Sequence, residues 1–335
     1  MVVHSPKLTS SEISMLWSTY IGDTMAFCVL SHFKQTCEDN DIIPVIEFAI
    51  NSAKDHIVQI TEIFTKEGIP IPNGFGEQDV NLQAKKLFSD ITYMRYLNHM
   101  GKTGLNSYSL AKSISARKDI RNLFKQFSDQ TETLFDRNVE LMQEKGVFIR
   151  SPYISYPDKL EYITDKKFLG GLLGHRRPLL GIEIAHVGIN IEVANVGKTL
   201  LLGFSQVAQS KKLSDYFKDG YEIGKKLAED LMIKLKEDDN SYPSIWDSTI
   251  TNSTDAPFSD KLMLFHANAQ SGVVIGDFGL AIAASLRKDL SLTYEGYLIK
   301  IGAYAEEGAR ILIDHGWFEK PPQSLDRESL RNQNK

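Results

Sequence analysis

The chain contains itself. Displaced by 170 residues, segment 88–152 aligns without a gap on segment 258–322, and 13 of the 65 positions are identical, against roughly four expected at average residue frequencies. FSD opens both segments (Phe88-Ser89-Asp90 and Phe258-Ser259-Asp260), Leu110-Ala111 answers Leu280-Ala281, and SARKDI at 115–120 answers SLRKDL at 285–290. Both close on glycine, a hydrophobe, phenylalanine and a nearby proline, in KGVFIRSP and HGWFEKPP. A displacement of 171 extends the match upstream, pairing Leu8, Glu12, Leu30, Phe33 and Gln35 with Leu179, Glu183, Leu201, Phe204 and Gln206. Any fold assigned to one copy must therefore suit the other, and 335 residues leave room for two domains.

Within each copy the apolar spacing is helical. It predicts helices over 9–37, 41–67, about 86–118 and 121–145 in the first copy, with counterparts in the second. Gly68, Gly146 and Gly316 follow charged last turns, as glycines just past helix ends do. Ser89 or Asp90, and equally Ser259 or Asp260, are candidates to cap the third helices. Short connections make antiparallel hairpins of helices one and two and of helices three and four. Between the hairpins lies a longer stretch, IPIPNGFGEQDVNLQAKKL in the first copy and DDNSYPSIWDSTITNSTDAP in the second. Nineteen extended residues reach roughly 60 Å, enough to pass a thirty-residue helix of about 45 Å.

The expected fold is thus all-α: two tandem ferritin-like four-helix bundles, each with a long crossover from helix 2 to helix 3. The expected boundaries are 1–157 for the first bundle, 158–176 for a linker, 177–323 for the second bundle and 324–335 for a polar tail that frays. Each bundle is expected to enclose its own apolar interior. Phe75 and Trp246 are expected to plug their crossovers into their own bundles.

Composition excludes several classes. The net charge is −5 and basic residues are not clustered, so the footprint of a nucleic-acid binder is absent. The most apolar stretch, 179–204, is broken by Glu183, His186, Asn190, Glu192, Asn195 and Lys198 and does not read as a membrane span. The two cysteines, Cys28 and Cys37, would lie about 13 Å apart on one helix, too far for a disulfide. The N-terminus lacks a charged-then-apolar leader. These features point to a cytoplasmic protein, with a homo-oligomer as one expected partner arrangement.

Chemistry is thinly marked. A di-iron site in such a bundle needs glutamates from two helices and Glu-x-x-His from the other two. The sole Glu-x-x-His is Glu183-Ile-Ala-His186, in a first helix, and Met15 stands where its counterpart histidine would be. A residual iron or manganese site on Glu183, His186 and His266 is one reading; a histidine satisfied by a single hydrogen bond is the plainer one, with no cofactor.

Arg117 and Asp119, like Arg287 and Asp289, are placed near the end of a third helix. There they would serve different neighbours, since residues two apart diverge on a helix. They read as a structural ion-pair network or, alternatively, as an anion clamp. Asn98 and Asn268 match across the repeat and read as register-fixing polar residues. Glycines 101, 104, 272, 276 and 279 each cost about 1 kcal/mol within a helix, which either close helix approach or a ligand cavity would explain.

A run of second-copy features gives a resemblance: RPL at 177, GFSQVAQS at 203, YPSIWDSTITNST, APFSDKLMLFH, SLRKDL and WFEKPPQSLDR. These resemble an uncharacterised family of tandem ferritin-like proteins from spore-forming bacteria, domain-of-unknown-function family 3231, distantly similar to spore coat protein F. The resemblance implies the fold, a sporulation-associated setting with spore-layer proteins as partners, and no established activity or catalytic residues. The leading reading is a non-catalytic structural or interaction protein. A ferritin-like metalloprotein or oxidoreductase and a small-molecule binding protein are the alternatives.

Overall fold

A computed structural model describes residues 6–170, 176–240 and 249–333. The first unit comprises α1 (Ser10–Thr36), α2 (Ile43–Glu67), α3 (Asp90–Ser113) and α4 (Lys118–Glu144). The second repeats it as α5 (Gly181–Val207), α6 (Lys211–Lys236), α7 (Asp260–Ala284) and α8 (Lys288–Asp314). In each unit two helical hairpins pack against one another around an apolar core. Trp246 lies outside the described residues. The tail does not simply fray: it forms a short exposed helix, α9 (Arg327–Gln333). Its first turn is capped by Asp326, whose carboxylate accepts from the backbone N–H of Glu328 and Ser329.

Local signals act as their chemistry dictates. Gly68, Gly146 and Gly316 take φ of 68°, 67° and 67°, the left-handed end that lets Ile69, Val147 and Trp317 donate back to the last turn. The repeated FSD triplet divides its labour. Ser89 and Ser259 cap α3 and α7. Asp90 accepts the backbone N–H groups of Glu38 and Asp39, and Asp260 those of Gln209 and Ser210, so each aspartate fastens the turn of the preceding hairpin.

The phenylalanines of that triplet lie where the two units meet. Val80 bridges Phe258 and Phe88 bridges Ile250, each pair antiparallel. Asn81 N–H donates to Pro257 O at 2.8 Å, and Thr251 N–H to Leu87 O at 2.9 Å; Ser89 N–H donates to Thr249 O, and Ser259 N–H to Asp79 O. Adding or subtracting 170 exchanges the members of every such pair. The aromatic packing inside each unit also repeats, with Phe33 displaced by 171 and its partners by 170: Phe33 stands 6.4 Å from Phe88 and 5.3 Å from Tyr96, while Phe204 stands 6.3 Å from Phe258 and 5.9 Å from His266. Tyr96 and His266, equivalent to one another, meet at 3.0 Å. The units are related by a local two-fold axis, the arrangement of an isologous dimer.

This interface corrects the expectation of two separate interiors. One continuous core runs from Leu16 and Phe64 in the first unit to Phe204, Phe217, Leu262 and Leu312 in the second. A second core, around Ile191, Leu231, Phe278 and Tyr294, fills the far end of the second unit. Phe75 anchors its crossover at the seam between the units: its N–H donates to Thr24 Oγ1 on α1 at 3.2 Å, while its ring packs at 5.2 Å on Phe265, under the ammonium of Lys261 at 4.8 Å, both in the second unit. Among the described residues α1 has the length and apolar composition of a membrane span, and its Leu16, Val29, Leu30 and Phe33 are buried in the first core.

Candidate functional sites: two charged joints and two buried polar centres

Each unit is closed at one end by the same joint. Glu12, fully buried, accepts from the backbone N–H and hydroxyl of Thr9 at 2.7 and 2.8 Å and from the backbone N–H of Arg117 at 2.7 Å. It thus caps α1 and also holds the start of α4. Arg117 forks onto Asp119 at 3.1 and 2.7 Å and reaches Glu67, at the end of α2, at 2.5 Å. In the second unit Glu183 accepts from Leu180, Leu286 and Arg287 N–H and from both Nη groups of Arg177 at 2.7 Å. Arg287, also fully buried, forks onto Asp289 at 3.1 and 2.9 Å and reaches Asp238 at 3.0 Å.

Burial works against ionising Glu183, yet the Arg177 fork and the backbone donors keep its pKa below the ordinary value. For Asp289 burial is again opposed, here by Arg287 and Lys234, and the pKa falls to about 2.

The joints correct the placement of the RKD triplet. It opens the fourth helix instead of closing the third: Arg117 and Arg287 are extended N-cap residues, with ψ of 138° and 121°. From outside the helix each guanidinium can fold onto the aspartate two residues on, so the pairs expected to serve different neighbours serve each other. The aspartates sit in a helical first turn, where the macrodipole favours a carboxylate.

The three residues weighed as metal ligands are not brought together. Glu183 is consumed by the joint. His186, one turn on, is half-buried, with its pKa lowered by burial. His266 packs beside Phe204, which lies 21 positions beyond Glu183 on α5, about 30 Å along the helix. Among the described residues no group of three His, Cys, Asp or Glu side chains could hold a metal ion.

The first buried polar centre lies on the local two-fold axis. Burial pushes the His266 imidazole down to about 4, so the ring is neutral where it meets the Tyr96 hydroxyl. Beside it His99 meets Gln270 at 2.9 Å, and Lys102 pairs with Glu192 across the units. Asn98 lines the adjoining cleft with its buried Oδ1 unpartnered, as is that of Asn268. The cleft holds about 20 Å³, room for roughly one water. A larger surface hollow, about 220 Å³, lies between Val45 and Leu141, away from the α7 glycines. Those glycines, 272, 276 and 279, face open space, whereas a Cβ on Gly101 or Gly104 would stand 3.1 Å from Phe135 or 2.9 Å from Thr131. Close helix approach therefore explains the first-unit pair and neither account explains the second-unit three.

The second centre was not found from the sequence. Asp23 on α1, His56 on α2, Tyr108 on α3 and Gln130 on α4 converge in the middle of the first unit. Aspartate and histidine separated by 33 residues carry no motif; the one mark in the string is that Asp23 stands where the second copy has Ala194.

Helices throughout, a duplicated four-helix unit and a repeated Glu–Arg–Asp joint define a tandem-repeat helical protein. The chain belongs to the family described as "Protein of unknown function (DUF3231)", whose pattern it matches twice, over residues 1–160 and 167–330. A comparison with curated proteins finds no match. Among solved structures, a protein of Bacillus halodurans C-125 named "putative spore coat protein" is similar at 20% identity and a TM-score of 0.41, covering 45% of this chain and 98% of that one.

Proposed function

We propose that the chain is a non-catalytic structural or interaction protein, two fused ferritin-like helical units acting in the spore or at its surface. One observation carries the reading: the glutamate, arginine and aspartate repeated as Glu12/Glu183, Arg117/Arg287 and Asp119/Asp289 are taken up in the joints. Arg287 is bonded to Asp289, Asp238 and the Arg177 carbonyl, and Arg117 to Asp119, Glu67 and the Pro6 carbonyl. Each guanidinium spends four of its five donors on such bonds, so it holds helix ends together instead of facing a substrate. The spore setting rests on the resemblance of the second-copy motifs.

The interaction side of the reading is supported by residues 153–163, which expose Tyr153, Tyr156, Leu160 and Tyr162 by 84–92%. Exposed aromatics concentrated in one extended stretch suit a partner surface better than an idle linker.

Metal analysis of protein purified without chelator tests the proposal. Sub-stoichiometric iron and manganese are expected; a stoichiometric metal lost on replacing Glu183 and His186 would overturn it.

A further inference from the structure

The centre of the first unit is built around a proton. His56 Nδ1 stands 3.1 Å from Asp23 Oδ2, and Nε2 stands 2.9 Å from Gln130 Oε1. The orientation of the Gln130 amide is set by its other end, where Nε2 donates to Asp55 Oδ2 at 3.0 Å. Its Oε1 therefore faces the imidazole, and His56 Nε2 must carry the hydrogen between them. A second hydrogen must lie on the Nδ1–Oδ2 line, on the ring or on the carboxyl, because otherwise two lone pairs would face each other in a dry core. The pair thus holds one proton more than a carboxylate beside a neutral imidazole, and is electrically neutral as a unit.

The surroundings keep it dry. Asp23 and His56 are 5% and 3% exposed. Phe127 stacks on the imidazole at 3.7 Å, and the Tyr108 ring meets it edge-on at 5.6 Å with its hydroxyl 3.4 Å from Nδ1. The facing groups are Asp23 from α1, Asp55 from α2, Tyr108 from α3, and Phe127 and Gln130 from α4.

The second unit supplies the control. At the positions equivalent to Asp23, His56 and Tyr108 it has Ala194, Leu227 and Phe278, all buried. The same fold closes without a polar centre, and apolar residues in place of a buried ion pair are commonly neutral or stabilising. We propose that the Asp23–His56 pair is a proton-binding site that makes the packing of the first unit responsive to pH, a response the second unit lacks.

The sign follows from Asp23. Burial raises its pKa against the opposing pull of His56. A raised carboxyl contributes stability that is complete below its unfolded value and is lost as pH rises through the folded one. The first unit should therefore loosen with rising pH.

Hydrogen exchange on the full chain, followed peptide by peptide from pH 5 to 9, tests this against two variants. One is D23A/H56L/Y108F, which copies the second unit; the other is D23N, which keeps a polar group but no titrating carboxyl. In the native chain, protection of α1–α4 should fall relative to D23N by up to about tenfold per pH unit, the limit for one proton, while α5–α8 follow the same profile in both chains. Above about pH 7, where the histidines common to all three chains are neutral folded and unfolded, both variants should be flat in both units. A native profile equal to that of D23N, or one shared by the two units, would overturn the proposal.

Discussion

Replacing Arg287 by methionine keeps the buried stem and removes the charge. Asp289, with its side chain 6% exposed, then retains only Lys234 at 3.1 Å, and Asp238 retains the backbone N–H of Leu179 at 2.6 Å. Breaking a buried pair from one side costs about 3–5 kcal/mol, because the partner is left charged and dry. The equivalent change in the first unit, Arg117→Met, meets a wetter joint, for Asp119 is 57% and Glu67 18% exposed. Solvent takes over much of what the guanidinium did there, and the cost falls to about 1–2 kcal/mol. Urea unfolding at pH 7, followed by circular dichroism, measures both. With a slope near 3 kcal/mol/M, R287M should lower the midpoint by about 1 M or more and R117M by about half of that or less. Raising the salt should shrink the R117M effect and leave R287M unchanged. If R117M costs as much as R287M, solvent exposure does not grade the two joints and the reasoning fails.

The second joint also sets an acid limit: because the Asp289 pKa is depressed to about 2, its contribution is complete above the unfolded value near 4 and is lost as pH falls toward 2. Acid titration of stability should show that loss in the native chain and much less of it in R287M. Gly203 and Gly276 should respond oppositely to alanine. A Cβ at Gly203 would stand 2.4 Å from the buried Phe88 ring and should cost about 1–3 kcal/mol, whereas Gly276 faces open space in mid-helix and should gain up to about 1 kcal/mol, read as shifts in thermal midpoint. Tyr96→Phe leaves the His266 nitrogen unpartnered on the local axis and should cost about 1–3 kcal/mol by the same measurement. A neutral result there would mean that water reaches the interface.

Much of the fold was legible because its causes are local or periodic. Helix stripes, the glycines at 68, 146 and 316, and the serine caps at 89 and 259 act through residues within one turn, so sequence distance and spatial distance coincide. The charged joints were half legible. The repeat singled out Glu12, Glu183 and the RKD triplets, but reading the triplet as the last turn of α3 assigned Arg117 and Asp119 to different neighbours. One residue of extended backbone at the N-cap reversed that. The partner of Phe75, by contrast, depends on where a crossover passes in space, and no spacing along the chain reports it.

By itself the sequence determined that this protein is a doubled helical unit, since self-similarity and period are properties of the string alone. Only the tertiary structure decided how the copies meet and what their interiors hold. The two-fold interface pairs residues between 160 and 180 positions apart, and the Asp23–His56 centre joins side chains from different helices. Contacts of that kind are selected by packing, and packing compares every surface of the chain with every other, which a pattern read along one dimension does not do.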